Sequence, residues 1–225
     1  MTESATAEPS DVLGVDLGVA DIASDSDGLR YPGSAVTSVR HRHRRLRAKL
    51  PRKQTRAAKR RLKQLAGQER RFATWVNHNV SKQIVATAEG TRRAIAIEQL
   101  EGIRERVKVR RKQRAVLHSW AFSQRRGFWE YKSKRAGVAV VLVDPRNSSR
   151  ECSMCHDVSK SNRPNQSIFR CRACGHQTHA DLNAAANLRE RGRVACKPTI
   201  LRAAPASGGF SRSAKLPAFS LAFSR

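Results

Sequence analysis

Apolar and polar positions change rhythm several times along the chain. DVLGVDLG, beginning at Asp11, is a short apolar run and reads as a strand, with VADIAS as its hairpin partner. GLRYPG is a weaker third strand after the Asp27–Gly28 turn. Beyond Arg40 the pattern becomes helical but thin, its seam supplied by Leu46, Leu50, Leu62 and Leu65. Pro51 removes a donor and clashes with the preceding turn, so it divides this stretch into two helical pieces. A further helix follows, in which Phe72, Val76, Val80 and Ile84 recur every fourth position and Gly90 is the stop. RRAIAIE is a short apolar strand ending on Glu98. A helix through SWAFSQRRGFWEYKSKR turns Leu117, Trp120, Ala121, Gln124, Phe128 and Tyr131 to one face. GVAVVLVD is apolar almost without alternation, as a sheet-interior strand covered on both faces would be. The last helix runs from Asp181 to about Arg191. This order predicts a mixed α/β fold.

Charge narrows the partners. Lys and Arg outnumber Asp and Glu 45 to 18 over 225 residues, a formal net charge of +27. Such an excess repels itself, and a polyanion is its natural counterpart. Thirteen of the 24 residues from Arg40 to Lys63 are Lys or Arg, with no acid among them. Aromatic residues are only 5%, so phosphate contact rather than base stacking is the expected source of affinity. MTESATAEPS has neither a basic start nor an apolar stretch, and no apolar run approaches membrane-spanning length. A soluble protein of a reducing cytosol, in the prokaryotic cytoplasm or nucleoid, is expected.

Four of the five cysteines carry the chemistry. Cys152 and Cys155, then Cys171 and Cys174, form two C-x2-C pairs separated by fifteen residues, the ligand spacing of a closed tetrahedral zinc site. Four thiolates leave no open coordination position, so one structural zinc is expected. His156, His176 and His179 then fall to the surface or to nucleic acid, and Cys196 is a bystander. The knob offers Lys160, Arg163, Arg170 and Arg172 to phosphate.

Three acids stand where acids are costly. Asp16 lies in an apolar strand, Glu98 closes another, and Asp181 opens the last helix. A buried carboxylate needs a partner or a cation. Singly, each has a plain structural explanation: an edge residue facing water, a strand end facing arginines, a helix-start acid favoured by the macrodipole. Together on a polycation they point to divalent metal held by oxygen ligands, the chemistry of phosphodiester hydrolysis.

The motifs resemble a known group. VLGVDLGVADIASDSDG is similar to the first nuclease motif of the RuvC-type, RNase H-like nucleases, AIAIEQLEGIRERV to the second and HADLNAAANL to the third. DPRNSSRECSMC followed by FRCRACG resembles the zinc element before the third motif in the TnpB/OrfB family, transposon-encoded relatives of the type V CRISPR effectors. The resemblance implies an RNase H-like (RuvC) mixed sheet flanked by helices, with an inserted zinc ribbon. It implies that Asp16, Glu98 and Asp181 ligate two catalytic magnesium ions in an RNA-guided DNA endonuclease of the transposase type. DNA and a guide RNA are the implied partners. Nucleic-acid contacts are expected from Arg44, Arg45, Arg52, Lys53, Arg60 and Arg61 in the basic helices. Arg110 and Arg111 would lie in a gating loop, and Arg146, with Ser148 and Ser149, beside substrate phosphate.

The implied organisation is a disordered N-terminus over 1–10 and a nuclease domain over 11–147 with a basic helical insertion over about 36–90. A zinc ribbon over 148–178, a last helix over 179–191 and a disordered basic tail over 192–225 complete it. Full-length relatives carry an N-terminal lobe that reads the guide and the target-flanking motif. Its lack here points to a truncated gene, half of a split system or a compact variant. The competing class is a catalytically silent nucleic-acid-binding remnant or guided repressor; a tyrosine-type strand-transfer enzyme has only Tyr31 and Tyr131 to draw on.

Overall fold

The computed structural model describes residues 9–18, 20–50, 55–99 and 122–196. Strands β1 (Asp11–Asp16), β2 (Asp21–Asp25) and β3 (Arg30–Pro32) form the opening antiparallel meander. Strand β4 (Arg93–Glu98) then adds parallel to β1, and β5 (Val140–Val143) parallel to β4, giving the order β3-β2-β1-β4-β5. Helices α1 (Ser34–Lys49) and α2 (Arg56–Gly90) follow the meander, α3 (Phe122–Arg135) precedes β5, and α4 (Ala180–Ala195) closes the described chain. Between β5 and α4 a small sheet pairs β6 (Ile168–Arg170) with β7 (Gln177–His179).

Successive side chains of a strand point to opposite faces, and the two faces here differ in bulk. Leu13, Val15, Ile95 and Ile97 face one way and pack with Val80, Ile84, Ala88 and Trp129 from α2 and α3. Val12, Ala94 and Ala96 face the other way and meet Leu188 of α4. Large residues therefore receive two helices, and small ones admit a single helix at close range.

Three expectations need correction. Helices lie on either side of Pro51 as expected, but the second does not stop before a further helix. Arg56 to Gly90 form one continuous helix of 35 residues, because its basic stretch runs straight into the Phe72–Ile84 seam. Among the described residues β5 is an edge strand rather than an interior one, yet both its faces are covered. Val140 and Leu142 pack with the α2 and α3 cluster, and Val141 and Val143 with that of α4. In α3 the inward residues are Trp129 and Ser133, each 1% exposed, whereas Tyr131 is 55% exposed. The expected positions Leu117, Trp120 and Ala121, the contacts Arg52, Lys53, Arg110 and Arg111, and the tail beyond Cys196 lie outside the described residues. No described helix is long and apolar enough to cross a membrane.

Candidate metal centres and their basic surroundings

The face that admits α4 is also the face that carries the acids. Asp16 stands two residues beyond Gly14 and four beyond Val12, and Glu98 stands likewise beyond Ala96 and Ala94, so strand alternation turns both toward α4. Pairing of Val15 with Ile97 sets these two carboxylates side by side at the C-terminal ends of neighbouring parallel strands. The third acid comes from α4 itself. A Cβ on Gly14 would lie 2.1 Å from the Ala185 carbonyl oxygen and 2.4 Å from the Arg189 nitrogen, so only glycine lets the helix backbone come this near. At the other end Gly192 sits over Val12 and Ala96, where a Cβ would approach to 2.7 Å and 2.6 Å. Asp11 then pairs with Arg189 and with Arg193, the latter at 2.7 Å. The helix thus runs antiparallel to β1 and delivers its first turn, with Asp181, to the strand ends.

Electrostatics record the crowding. Burial first, and then the charges of Glu98 and Asp181, push the Asp16 carboxyl up to about 8. Burial also raises Glu98, against which Ser148 donates its hydroxyl to Oε1 at 2.5 Å. Ser148 is 4% exposed, its hydroxyl engaged by Glu98. Asp181 is raised by burial and held back by Arg163, whose guanidinium donates to Oδ1 at 3.2 Å. All three carboxyls are thus raised first by burial, Asp16 also by the other two, and a divalent cation nearby would offset that resistance to ionisation. The three are not among the described groups whose ligand atoms all lie within 4.8 Å of one another.

A second constellation was not foreseen. Asp21, His179 and Asp181 place ligand atoms all within 4.8 Å of one another. Asp21 opens β2, and His179 caps α4, its Nδ1 accepting from the Asp181 N–H at 3.3 Å. The histidine is therefore not simply a surface residue. The one available signal was its position two residues ahead of a helix-opening acid.

The four cysteines form the other cluster, their sulfurs likewise all within 4.8 Å. Cys152 and Cys174 sulfurs are 3.7 Å apart, and those of Cys155 and Cys171 3.5 Å. Zinc–sulfur bonds of ~2.3 Å in a tetrahedron require edges of about 3.8 Å, so the thiols fit a zinc ion. The knuckles match: the Met154 and Cys174 N–H groups each reach a cysteine sulfur at 3.5 Å. His156 (φ 61°) and Gly175 (φ 76°) take the same left-handed turn after the second cysteine of each pair. Two asparagines that the sequence reading passed over tie this knob to α4. The Asn183 side-chain amide donates to the Glu151 carbonyl at 2.7 Å, and that of Asn187 donates to the carbonyls of Ser148 and Glu151 at 2.9 and 2.8 Å. The signal was two polar residues four apart in an alanine-rich helix.

Among the expected nucleic-acid contacts, Arg44, Arg45, Arg60 and Arg61 are exposed on α1 and α2. Glu69 holds these helices together, accepting from Arg47 at 2.5 Å and facing Arg40 at 3.5 Å. Arg146 is exposed near Asp144, 3.7 Å away.

A mixed sheet with neighbouring carboxylates and an adjoining four-cysteine knob defines a class of α/β protein with groups that could hold metal, and the comparisons narrow it. Residues 122–188 match the family described as the Cas12f1-like TNB domain. The chain is 36% identical over 129 residues to a CRISPR-associated endodeoxyribonuclease Cas12f1 of Sulfoacidibacillus thermotolerans, covering 56% of this chain and 29% of that protein. It is 31% identical over 128 residues to a TnpB-like protein of Methanocaldococcus jannaschii, covering 56% of this chain and 45% of the other. Its fold is similar to that of Cas12f1 in a cryo-EM complex with single-guide RNA and target DNA, with a TM-score of 0.61 at 20% identity over 82% of this chain and 50% of that one. The chain is similar to Cas12f and TnpB-like proteins, and it spans less than half the length of either sequence relative.

Proposed function

We propose that this chain is the nuclease portion of an RNA-guided DNA endonuclease, an RNase H-like (RuvC) sheet with an inserted zinc ribbon. The observation that carries this reading is the approach of Glu98 and Asp181 to Asp16, whose ionisation their charges oppose, from a neighbouring parallel strand end and a helix start. Two Mg2+ ions held by these acids would supply the activated water and steady the departing oxygen. Around them, Ser148 fixes the Glu98 carboxylate through its hydroxyl. Arg163 presents a guanidinium at Asp181, suited to a phosphate oxygen on the incoming strand. Zinc in the four-cysteine knob, bound to α4 through Asn183 and Asn187, would keep Arg163 and Asp181 in register. Arg44, Arg45, Arg60 and Arg61 would grip the backbones of DNA and guide RNA, a sequence-independent contact. The organisation into a nuclease domain over 11–147 with its basic insertion, a ribbon over 148–178 and a closing helix belongs to this same proposal. That helix is α4, which runs on to Ala195 rather than ending at the expected 191 because Gly192 packs on Val12 and Ala96.

The test is cleavage of labelled single-stranded DNA by the purified chain, with magnesium and without it. Magnesium-dependent cutting by wild type, absent in Asp16→Ala while DNA retention is unchanged, is the expected result. DNA retention without any cutting would make the chain a binding protein and overturn the enzymatic reading.

A further inference from the structure

Asp21, His179 and Asp181 come from three places in the chain: the start of β2, the cap of α4 and that helix's first turn. Asp21 is 5% exposed and Asp181 8%, so both carboxylates are drawn into the protein rather than left on its surface. Each already attracts a cation. Arg30 donates to Asp21 Oδ2 at 2.6 Å, and Arg163 donates to Asp181 Oδ1 at 3.2 Å. Each of these bonds engages one carboxylate oxygen, and the Arg30 side chain, 45% exposed, has room to swing into solvent.

Space beside the cluster is kept open by a missing side chain. A Cβ on Gly18 would lie 2.8 Å from the Asp21 carbonyl oxygen and 3.9 Å from Asp181 Oδ2. The backbone at Gly18 thus passes close to both Asp21 and Asp181.

The donor set differs from that of an ordinary magnesium site. Mg2+ demands oxygen ligands in near-ideal octahedral geometry, whereas an imidazole nitrogen among carboxylates suits first-row transition ions. Here the imidazole lone pair at Nδ1 engages only a long 3.3 Å capping bond, which an ion can replace. We propose that Asp21, His179 and Asp181 form a mixed nitrogen–oxygen site for a divalent transition ion of the Mn2+ class, sharing Asp181 with the carboxylate trio. The site would bring a fourth carboxylate, from Asp21, and a nitrogen donor to the edge of the cleft. It rests on its own geometry and does not require that the chain cut DNA.

The experiment loads the full zinc-bound chain with Mn2+ and measures bound manganese by electron paramagnetic resonance, with spin-echo modulation to detect nitrogen coupling. Wild type should show nitrogen coupling to bound Mn2+. His179→Asn keeps a side chain that caps a helix well but removes the imidazole. It should abolish the coupling and weaken Mn2+ binding roughly tenfold or more, the scale on which ligand-shell changes act, with zinc content unchanged. Asp21→Asn should weaken binding in the same direction. Bound manganese without nitrogen coupling in wild type, or coupling that persists in His179→Asn, would overturn the site. Asp16→Ala separates this proposal from the nuclease reading: nitrogen coupling should survive there even as cleavage is lost. Loss of the coupling in Asp16→Ala would move the ion to the carboxylate trio and overturn the site, whereas cleavage surviving in Asp16→Ala would overturn only the nuclease assignment.

Discussion

Helices α4 and α2 both lie against the central sheet, on opposite faces, yet they use it differently. Eight of the 16 residues of α4 are buried, against eight of 35 in α2. The short helix is seated along its length on Gly14, Val12 and Ala96 and tied at its far end to Asp11. The long helix packs its last turns through Val80, Ile84, Val85 and Ala88, and carries its basic first half outward beside α1. The contrast follows from what each holds. On the proposed function, a carboxylate that meets two others needs a helix whose position is fixed to a fraction of an ångström, whereas phosphate backbones accept charge delivered less rigidly.

The same substitution should therefore have opposite signs in the two helices' surroundings. Gly14→Ala sets a methyl carbon against backbone atoms of α4 that cannot yield, and we expect a loss of about 3 kcal/mol or more in urea unfolding. Gly67→Ala in α2 meets only the flexible end of Arg71 at 3.3 Å. It should stabilise by roughly 0.5–1 kcal/mol, the ordinary helix preference of alanine over glycine. Equal effects at both positions would mean that α4 is not seated as tightly as its contacts require.

A smaller effect should appear in pH dependence, and it belongs to the acid side alone. The unfolded Asp16 carboxyl ionises near 3.8, whereas in the fold burial and the neighbouring acids hold its proton until about 8. Between those values the native state binds more protons than the unfolded one, so stability falls as pH rises through the window and levels off above it. In zinc-replete, magnesium-free buffer, Tm should drop from pH 5 to pH 8, and Asp16→Asn should flatten the drop. Glu98, Asp181 and Asp25, each raised first by burial, leave a residual slope. Added Mg2+ should reverse the trend by favouring the charged carboxylates. A wild-type Tm that rises across the window would contradict this assignment of the buried charge.

How much of this was readable beforehand depended on range. The strands ending at Asp16 and Glu98 announce themselves, because short apolar runs bounded by turns are local signals, and strand parity alone says which face each acid occupies. The cysteine spacing is equally local. The continuity of α2 was hidden because its first half buries only Ala58 and Leu65, a seam too sparse to stand out among so many arginines. The place of β5 at the sheet edge depends on what fails to pair with it, and no residue within the strand encodes that. The Asp21–His179–Asp181 grouping joins a strand start to a helix cap across most of the described chain. The asparagines of α4 acquire meaning only once the loop carbonyls they satisfy are in place.

The smallest effects should come from the outer half of the comparison. Arg44, Arg45, Arg60 and Arg61 are exposed, and the stability of the fold does not draw on their charge; Arg61 makes only a local bond to Gln64 at 2.7 Å. Replacing each in turn by Gln should change unfolding free energy by no more than about 0.5 kcal/mol, as surface substitutions do. Binding should respond instead. An arginine that neutralises one phosphate releases about one counterion, so each loss should lower the slope of log affinity against log salt by about 1 and weaken all DNA sequences alike. Titrations of labelled DNA at several salt concentrations measure that slope directly. An unchanged slope for all four variants would remove α1 and the start of α2 from the nucleic-acid face and leave the positive charge around Arg146 and Arg163 to carry it.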